Sequence, residues 1–242
     1  MNILGIVPAR GGSKGIPHKN LADCAGKPLV CWTLDAIQES KLVNYAVLSS
    51  DDDDILGYGD TRSYMFGGKV LAQRRPVELA QDSTPTEPVI SYVLSSFVLD
   101  AQPDIIVLLQ PTSPIRTGKQ IDEAVQFLLD NRHLYDSVLS VVPSHAFLWS
   151  RSYTFRPWSS NYDYANRQRR QDLPPQYEEN GSIYVTTKAQ WDRTHNRLGG
   201  TIGLYVMDES SRIQIDTPLD LAWCDWWLRT QGHATPPEAH RA

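Results

Sequence analysis

The chain has 242 residues, 41% hydrophobic and 21% charged, the composition of an ordinary globular protein with length for one large α/β domain or one domain with a small appendage. Its net charge of −5 argues against a nonspecific nucleic-acid binder, and no apolar stretch approaches the roughly 18 residues of a membrane span. Cys24, Cys31 and Cys224 form no Cys-x-x-Cys pair and the start leaves no room for a signal peptide, which predicts free thiols in a reducing cytoplasm.

The first predicted element is a buried strand over residues 3–7. It feeds into Pro8, Ala9, Arg10, Gly11, Gly12, Ser13, Lys14 and Gly15, and the loop continues through His18 and Lys19 to Asn20. Three glycines let the backbone turn sharply and approach a ligand with no Cβ in the way. Arg10, Lys14 and Lys19 add three cations, and Ser13 and Asn20 add neutral hydrogen-bonding groups. Exposed backbone N–H groups beside positive charge are what a polyphosphate needs, so the loop predicts a nucleoside triphosphate site. A Walker A loop is excluded, because Ile16 stands where Gly-x-x-x-x-Gly needs its second glycine. A dinucleotide loop is excluded by the spacing of Gly11, Gly12 and Gly15 and by the lysine among them.

A helix over 28–39 and a strand over 45–49 follow. The acidic run Asp51 to Asp54 caps and solvates a helix start rather than holding a metal, since consecutive carboxylates are favoured by the helix dipole. Next come a strand at 70–72, a helix at 86–96 and a strand at 105–109 ending in Gln110, Pro111, Thr112, Ser113, Pro114, Ile115 and Arg116. Ligands of open α/β sheets sit at the carboxyl ends of strands, so this loop is expected to share a pocket with the first one. The same residues also read as a polar turn, with Ser113 or Thr117 capping the next helix. That helix, 119–129, turns Ile121, Val125 and Leu128 inward and Asp122 and Glu123 outward, and a strand at 137–142 follows it.

Residues 144–176 break the alternation with Phe147, Trp149, Tyr153, Phe155, Trp158, Tyr162, Tyr164, Arg167, Arg169 and Arg170. So many rings do not stay bare in a soluble monomer. The excursion either packs as a subdomain or, the favoured reading, forms a homodimer interface. Strands at 182–186 and 202–205 lead to Gln214, Ile215, Asp216, Thr217 and Pro218. Asp216 at a strand end is a natural Mg²⁺ ligand facing bound phosphates. Alternatively, Asp216 or Thr217 caps the helix that Pro218 opens. The helix at 219–229 carries Trp223, Trp226 and Trp227 for a core or an interface, and a disordered tail is expected from Gln231. His18, His133, His145 and His195 share no zinc-ligand spacing, and no Gly-x-Ser-x-Gly elbow is present. The whole pattern predicts a mostly parallel twisted sheet with helices on both faces, in one domain over 1–230.

Assembled in order, these segments resemble the acylneuraminate cytidylyltransferase family, the CMP-sialic acid synthetases. The resemblance rests on the loop from Pro8 to Asn20, then Arg75-Pro76-Val77-Glu78-Leu79-Ala80 with Thr86-Glu87-Pro88, then the segment from Leu109 to Arg116. It continues through Arg170-Gln171-Asp172-Leu173-Pro174-Pro175 and Asn180-Gly181-Ser182-Ile183-Tyr184 to Ile215-Asp216-Thr217-Pro218. It implies a Rossmann-like nucleotidyltransferase that joins CTP to an acidic nine-carbon α-keto acid sugar of the sialic, legionaminic or pseudaminic type and releases pyrophosphate. It implies that Arg10, Lys19 and Asp216 act in catalysis, that Ala9, Gly11, Gly12, Ser13 and Lys14 surround the triphosphate, and that Asn20, Arg75 and Thr86 lie toward the nucleoside. By the same resemblance Gln110, Arg170 and Tyr184 contact the sugar, Asp216 binds Mg²⁺, and part of the excursion crosses to a partner's site. Gln214 departs from the family's frequent Asp-x-Asp pair, which puts a second coordinated metal in doubt. Glu178 and Glu179 place negative charge where an anionic sugar is expected. The rivals are a cytidylyltransferase for a phosphonate or a deoxy-octulosonate acid, and a CTP-binding protein that has lost catalysis.

Overall fold

The computed structural model describes residues 1–65, 68–96, 102–151 and 156–232; Tyr153, Phe155 and the tail beyond 232 lie outside them. β1 (Ile3–Pro8) is buried almost throughout, which is why its apolar residues run on instead of alternating. The small hairpin β2 (Asp23–Cys24) and β3 (Lys27–Pro28) leads to α1 (Leu29–Glu39), eight of whose residues are buried. β4 (Tyr45–Ser50), α2 (Asp53–Met65), β5 (Val70–Arg74), α3 (Thr86–Ser96), β6 (Ile105–Leu109), α4 (Gly118–Asp130) and β7 (Ser137–Ser144) follow. The excursion contributes a short hairpin, β8 (Trp149–Arg151) and β9 (Pro157–Ser159). The chain then completes β10 (Gln176–Thr187), α5 (Lys188–Thr194), β11 (Ile202–Val206) and α6 (Pro218–Thr230).

One seven-stranded sheet runs in the order β11-β7-β10-β6-β1-β4-β5. β1 is parallel to both β4 and β6, so the strand order reverses there and opens a crevice at its carboxyl end. The expected mostly parallel sheet contains one reversed strand: β10 is antiparallel to β6 and β7. The cause is the connection after β7, which is a hairpin and coil rather than a crossover helix, so the chain returns instead of crossing. One core joins Ile3, Val7, Leu34, Ile37, Ile105, Val107, Ile121 and Val125, and a second forms around Leu4, Ile6, Ile90, Val93 and Tyr184. The two lie on opposite sides of β1, since Ile3 and Val7 alternate with Leu4 and Ile6.

α5 is absent from the sequence expectation, and α2 is anticipated there only as a helix start at the acidic run. α2 has almost no apolar stripe and contains Gly57 and Gly59, poor helix residues; its start is held by Asp52 Oδ1, which accepts from the N–H groups of Asp54 and Ile55. That contact matches the capping role expected of the acidic run. α5 is a seven-residue helix, shorter than periodicity resolves, capped by the Thr187 side chain on Gln190 N–H. At α6, Trp223 and Trp227 stack with centroids 5.7 Å apart, while Trp226 is exposed. Cys24, Cys31 and Cys224 are all buried free thiols; burial pushes Cys24 and Cys224 up to about 12. Among the described residues no helix is long and apolar enough to cross a membrane.

Candidate active site

The β1 loop, the segment after β5 and the β6 loop converge on one cleft of about 230 Å³. Arg10, Gly12, Ser13, Lys19, Asn20, Arg75, Thr86 and Gln110 all line it, so most of the expected nucleotide residues are brought together. The loop is tied down from several directions. Gly11 N–H donates to Asp51 Oδ1 at 3.1 Å, and Asn20 Nδ2 donates to the Arg10 carbonyl at 2.8 Å, closing the loop on itself. Asn20 is 7% exposed, so fixing that loop is its observed role. Ala9 and Gly11 are buried behind the cleft; Ala9 N–H bonds to the Ser49 carbonyl at 3.0 Å and extends the sheet.

The cations are already paired. Lys19 Nζ donates to the Ile215 carbonyl at 2.8 Å and to Asp216 Oδ1 at 3.0 Å, with only 15% of its side chain exposed. Ile215 N–H in turn donates to the Thr112 carbonyl at 2.8 Å, which links the first loop, the β6 loop and the segment before α6. A Cβ on Gly15 would collide with the Asp216 carbonyl, so the close approach of these two segments needs glycine there. Arg10 Nη1 lies 2.5 Å and Lys14 Nζ 3.0 Å from the two oxygens of Asp82. Arg75 is 5% exposed, its Nε has no hydrogen-bond partner, and burial lowers its pKa against the raising effect of Asp51.

The alternatives at Asp216 are separated by geometry. Thr217 caps α6 in a reciprocal box with Asp220, and Pro218 opens the helix, so capping leaves the Asp216 carboxylate beside Lys19, 74% exposed. Thr117 likewise caps α4 with Gln120, whereas Ser113 Oγ donates to the Asn180 carbonyl at 3.0 Å and pins the β6 loop to β10. Among the described residues no three Asp, Glu, His or Cys side chains gather to hold a metal ion. The short strand expected before Asp216 is absent: β11 ends at Val206, and Asp216 lies in irregular chain before α6. Its exposed carboxylate suits Mg²⁺ bound through one carboxylate and phosphate oxygens, the ion's usual arrangement.

β10 carries a bulge between Glu179 and Tyr184 that turns Gly181 to φ +65°. A Cβ there would lie 2.8 Å from Gln110 Oε1 and collide with Gln214 Oε1, so both amide oxygens crowd the same side of this glycine. The residue that departs from the family's acidic pair thus sits with the expected sugar-binding glutamine. Gly181→Ala is expected to lower the melting temperature by several degrees, because alanine is strained at φ +65° and its Cβ displaces both amides. A thermal melt checks it; an unchanged melting temperature would contradict this packing.

Three expectations come out differently. Arg170 is not in this cleft but in a second depression with His145, Pro174, Tyr177 and Val206. Tyr184 is 4% exposed beneath α3; its hydroxyl donates to Glu179, Arg197 lies 5.1 Å over its ring, and burial pushes its pKa well up. Glu178 pairs with Arg212 at 2.6 Å, so with Glu179 on Tyr184 neither acid is uncompensated. Gln81, Asp82 and Thr84 line the cleft as well. The resemblance skipped them, and the signal available was an aspartate seven residues after Arg75.

A cytidylyltransferase family model matches residues 4–222. The chain is 36% identical over 218 residues to N-acylneuraminate cytidylyltransferase B of Danio rerio, covering 89% of this chain and 48% of that protein. It is 30% identical to N-acylneuraminate cytidylyltransferase of Escherichia coli O18:K1:H7, over 90% of this chain and 50% of that protein. It therefore spans about half the length of the curated relatives it matches. Among solved structures it is similar to CMP:2-keto-3-deoxy-manno-octonic acid synthetase complexed with CTP (TM-score 0.69, 15% identity, 96% of this chain and all of that one). It is also similar to 4-diphosphocytidyl-2C-methyl-D-erythritol synthase from Anaerococcus prevotii (TM-score 0.65, 15% identity, 94% and 96%). These two likenesses establish the fold, and the matched family model establishes that this chain belongs to the cytidylyltransferase family.

Proposed function

We propose that the chain transfers CMP from CTP to the anomeric hydroxyl of a nine-carbon α-keto acid sugar of the sialic, legionaminic or pseudaminic type. The observation that carries this reading is the convergence of Arg10, Lys14, Lys19 and Arg75 with Gln110 at the strand-order reversal. The names of the relatives supply the substrate class. The hydroxyl oxygen forms a bond to the α-phosphorus and gives up its proton to solvent water, the bond from that phosphorus to the bridging oxygen breaks, and pyrophosphate leaves. Lys19, fixed by Ile215 and Asp216, and the loop cations offset the charge that builds on the α-phosphate and the leaving group. Asp216 would hold Mg²⁺, which when bound supplies further charge neutralisation and lowers the pKa of a coordinated hydroxyl. Gln110 and Gln214 orient the sugar acid through neutral hydrogen bonds.

The reading extends to a cytoplasmic homodimer. β11 is an edge strand whose Ile202, Leu204 and Val206 are each at least 40% exposed on one face, and Trp149, Trp158 and Tyr164 of the excursion are exposed too. Arg170 and Tyr177, in the depression beside Val206, would then face the partner. A monomeric mass by light scattering would refute it. The reaction is tested by pyrophosphate release from CTP and Mg²⁺ with sialic, legionaminic, pseudaminic and deoxy-octulosonic acids and 2-aminoethylphosphonate. Release with a nine-carbon acid, and not with ATP or GTP, is the expected outcome. Release with the octulosonic acid or the phosphonate alone would move the assignment there, and CTP binding without any turnover would support the inactive reading.

A further inference from the structure

Asp82 has a use that the transfer reaction leaves unexplained. One carboxylate bridges two cations of the glycine loop, Oδ1 to Arg10 and Oδ2 to Lys14. These are two of the side chains that a triphosphate would take. Asp82 stands in the same cleft, on the segment between the turn at Val77–Leu79 and α3 that also supplies Gln81, Thr84, Pro85 and Thr86. Its bonds to Lys14 and Arg10 hold the carboxyl below the usual carboxylate range, so it is an anion at neutral pH. Two oxygens on two cations imitate a phosphate group. A polyphosphate that enters brings like charge against Asp82 and competes for both its partners.

We propose that Asp82 is a displaceable counter-anion: it neutralises Arg10 and Lys14 in the empty cleft, yields them to the polyphosphate, and reclaims them as pyrophosphate departs. The proposal rests on the cleft being the CTP site. In the product state it opposes retention of pyrophosphate, trading affinity for release. Because the pairs are exposed, the competition is modest and reversible, as a turnover device requires.

The test is calorimetric titration of wild type, Asp82→Asn and Asp82→Ser with inorganic pyrophosphate, CTP and cytidine, in EDTA so that no metal bridges carboxylate and phosphate. Both variants are expected to bind pyrophosphate and CTP about three- to tenfold more tightly, with cytidine unchanged. Pyrophosphate affinity equal to wild type, or weaker, overturns the role of Asp82 while leaving the site intact. A rise in cytidine affinity equal to the rise for pyrophosphate also overturns it, because a general repacking would act on both. Wild type that binds neither CTP nor pyrophosphate overturns the site and the proposal together.

Discussion

Lys19→Ala is expected to lower kcat/KM by about two orders of magnitude while the fold stays intact, because a preorganised charge at the reacting phosphate is lost. The side chain is unlike a surface lysine. Two acceptors, the Ile215 carbonyl and Asp216, fix its Nζ, and only 15% of the side chain meets solvent. On the proposed reading the orienting work is done before the substrate arrives, and the charge then acts in the transition state without reorganisation. Lys19→Arg keeps the charge but replaces a compact ammonium with a planar fork that does not fit the same two acceptors, and it is expected to recover only part of the activity. Steady-state kinetics together with a thermal melt separate the cases. A kcat/KM within about threefold of wild type would remove Lys19 from the phosphate clamp, since a charge-assisted contact contributes ~2 kcal/mol. A collapse of the melting temperature would instead assign it a structural role.

The sequence was most readable where one local rule acts alone. The β1 run and its glycine-rich, cationic loop could be read together, since buried parallel strands are continuous apolar runs and phosphate loops need glycine and charge. α4 was legible from its apolar spacing and α3 from its start at Thr86. Only the start of α2 was legible, at the acidic run, because its glycines and acids follow no apolar stripe; it is fixed by packing on the sheet and by the cap at Asp52. The direction of β10 was hidden too, since residues 182–186 look alike in either orientation and only the connection decides it. In the site, residue type revealed the phosphate cations but not their resting partners. Nothing local links Asp82 to Arg10 across 72 positions, or Gln214 to Gln110 across 104. Arg170 and Tyr184, carried over by resemblance, stand outside the cleft of the single chain because a motif gives sequence position and not the direction of a side chain.

Arg116→Met is expected to destabilise the fold by roughly 3 kcal/mol and to cost sugar-acid turnover more than CTP binding. Arg116 is 6% exposed, and burial alone pushes its pKa down to about 9, so keeping its proton at neutral pH works against folding. What offsets this is a set of neutral acceptors: the Ser182 carbonyl at 2.6 Å, the Gln110 carbonyl at 2.8 Å and Thr33 Oγ1. Methionine fills much of the volume and removes the buried charge, which is a gain. It also strands the buried Ser182 carbonyl, at a cost of about 1–3 kcal/mol, and removes one donor from Thr33 Oγ1 and from the Gln110 carbonyl, which keeps Ser113 N–H; together that loss is the larger. Those carbonyls belong to the segment that bears Gln110 and to the bulged strand next to Gly181, so the guanidinium sets the spacing between the β6 loop and β10. At about 2–4 °C per kcal/mol for a chain of this size, the melting temperature should fall by roughly 6–12 °C. On the proposed reading, KM for the acid should rise while the Kd for CTP stays near wild type. A melting temperature within about 2 °C of wild type would mean that relief of the buried charge balances the lost hydrogen bonds. A CTP affinity that fell as far as the acid's would mean that Arg116 supports the whole cleft rather than the spacing of one pair of segments.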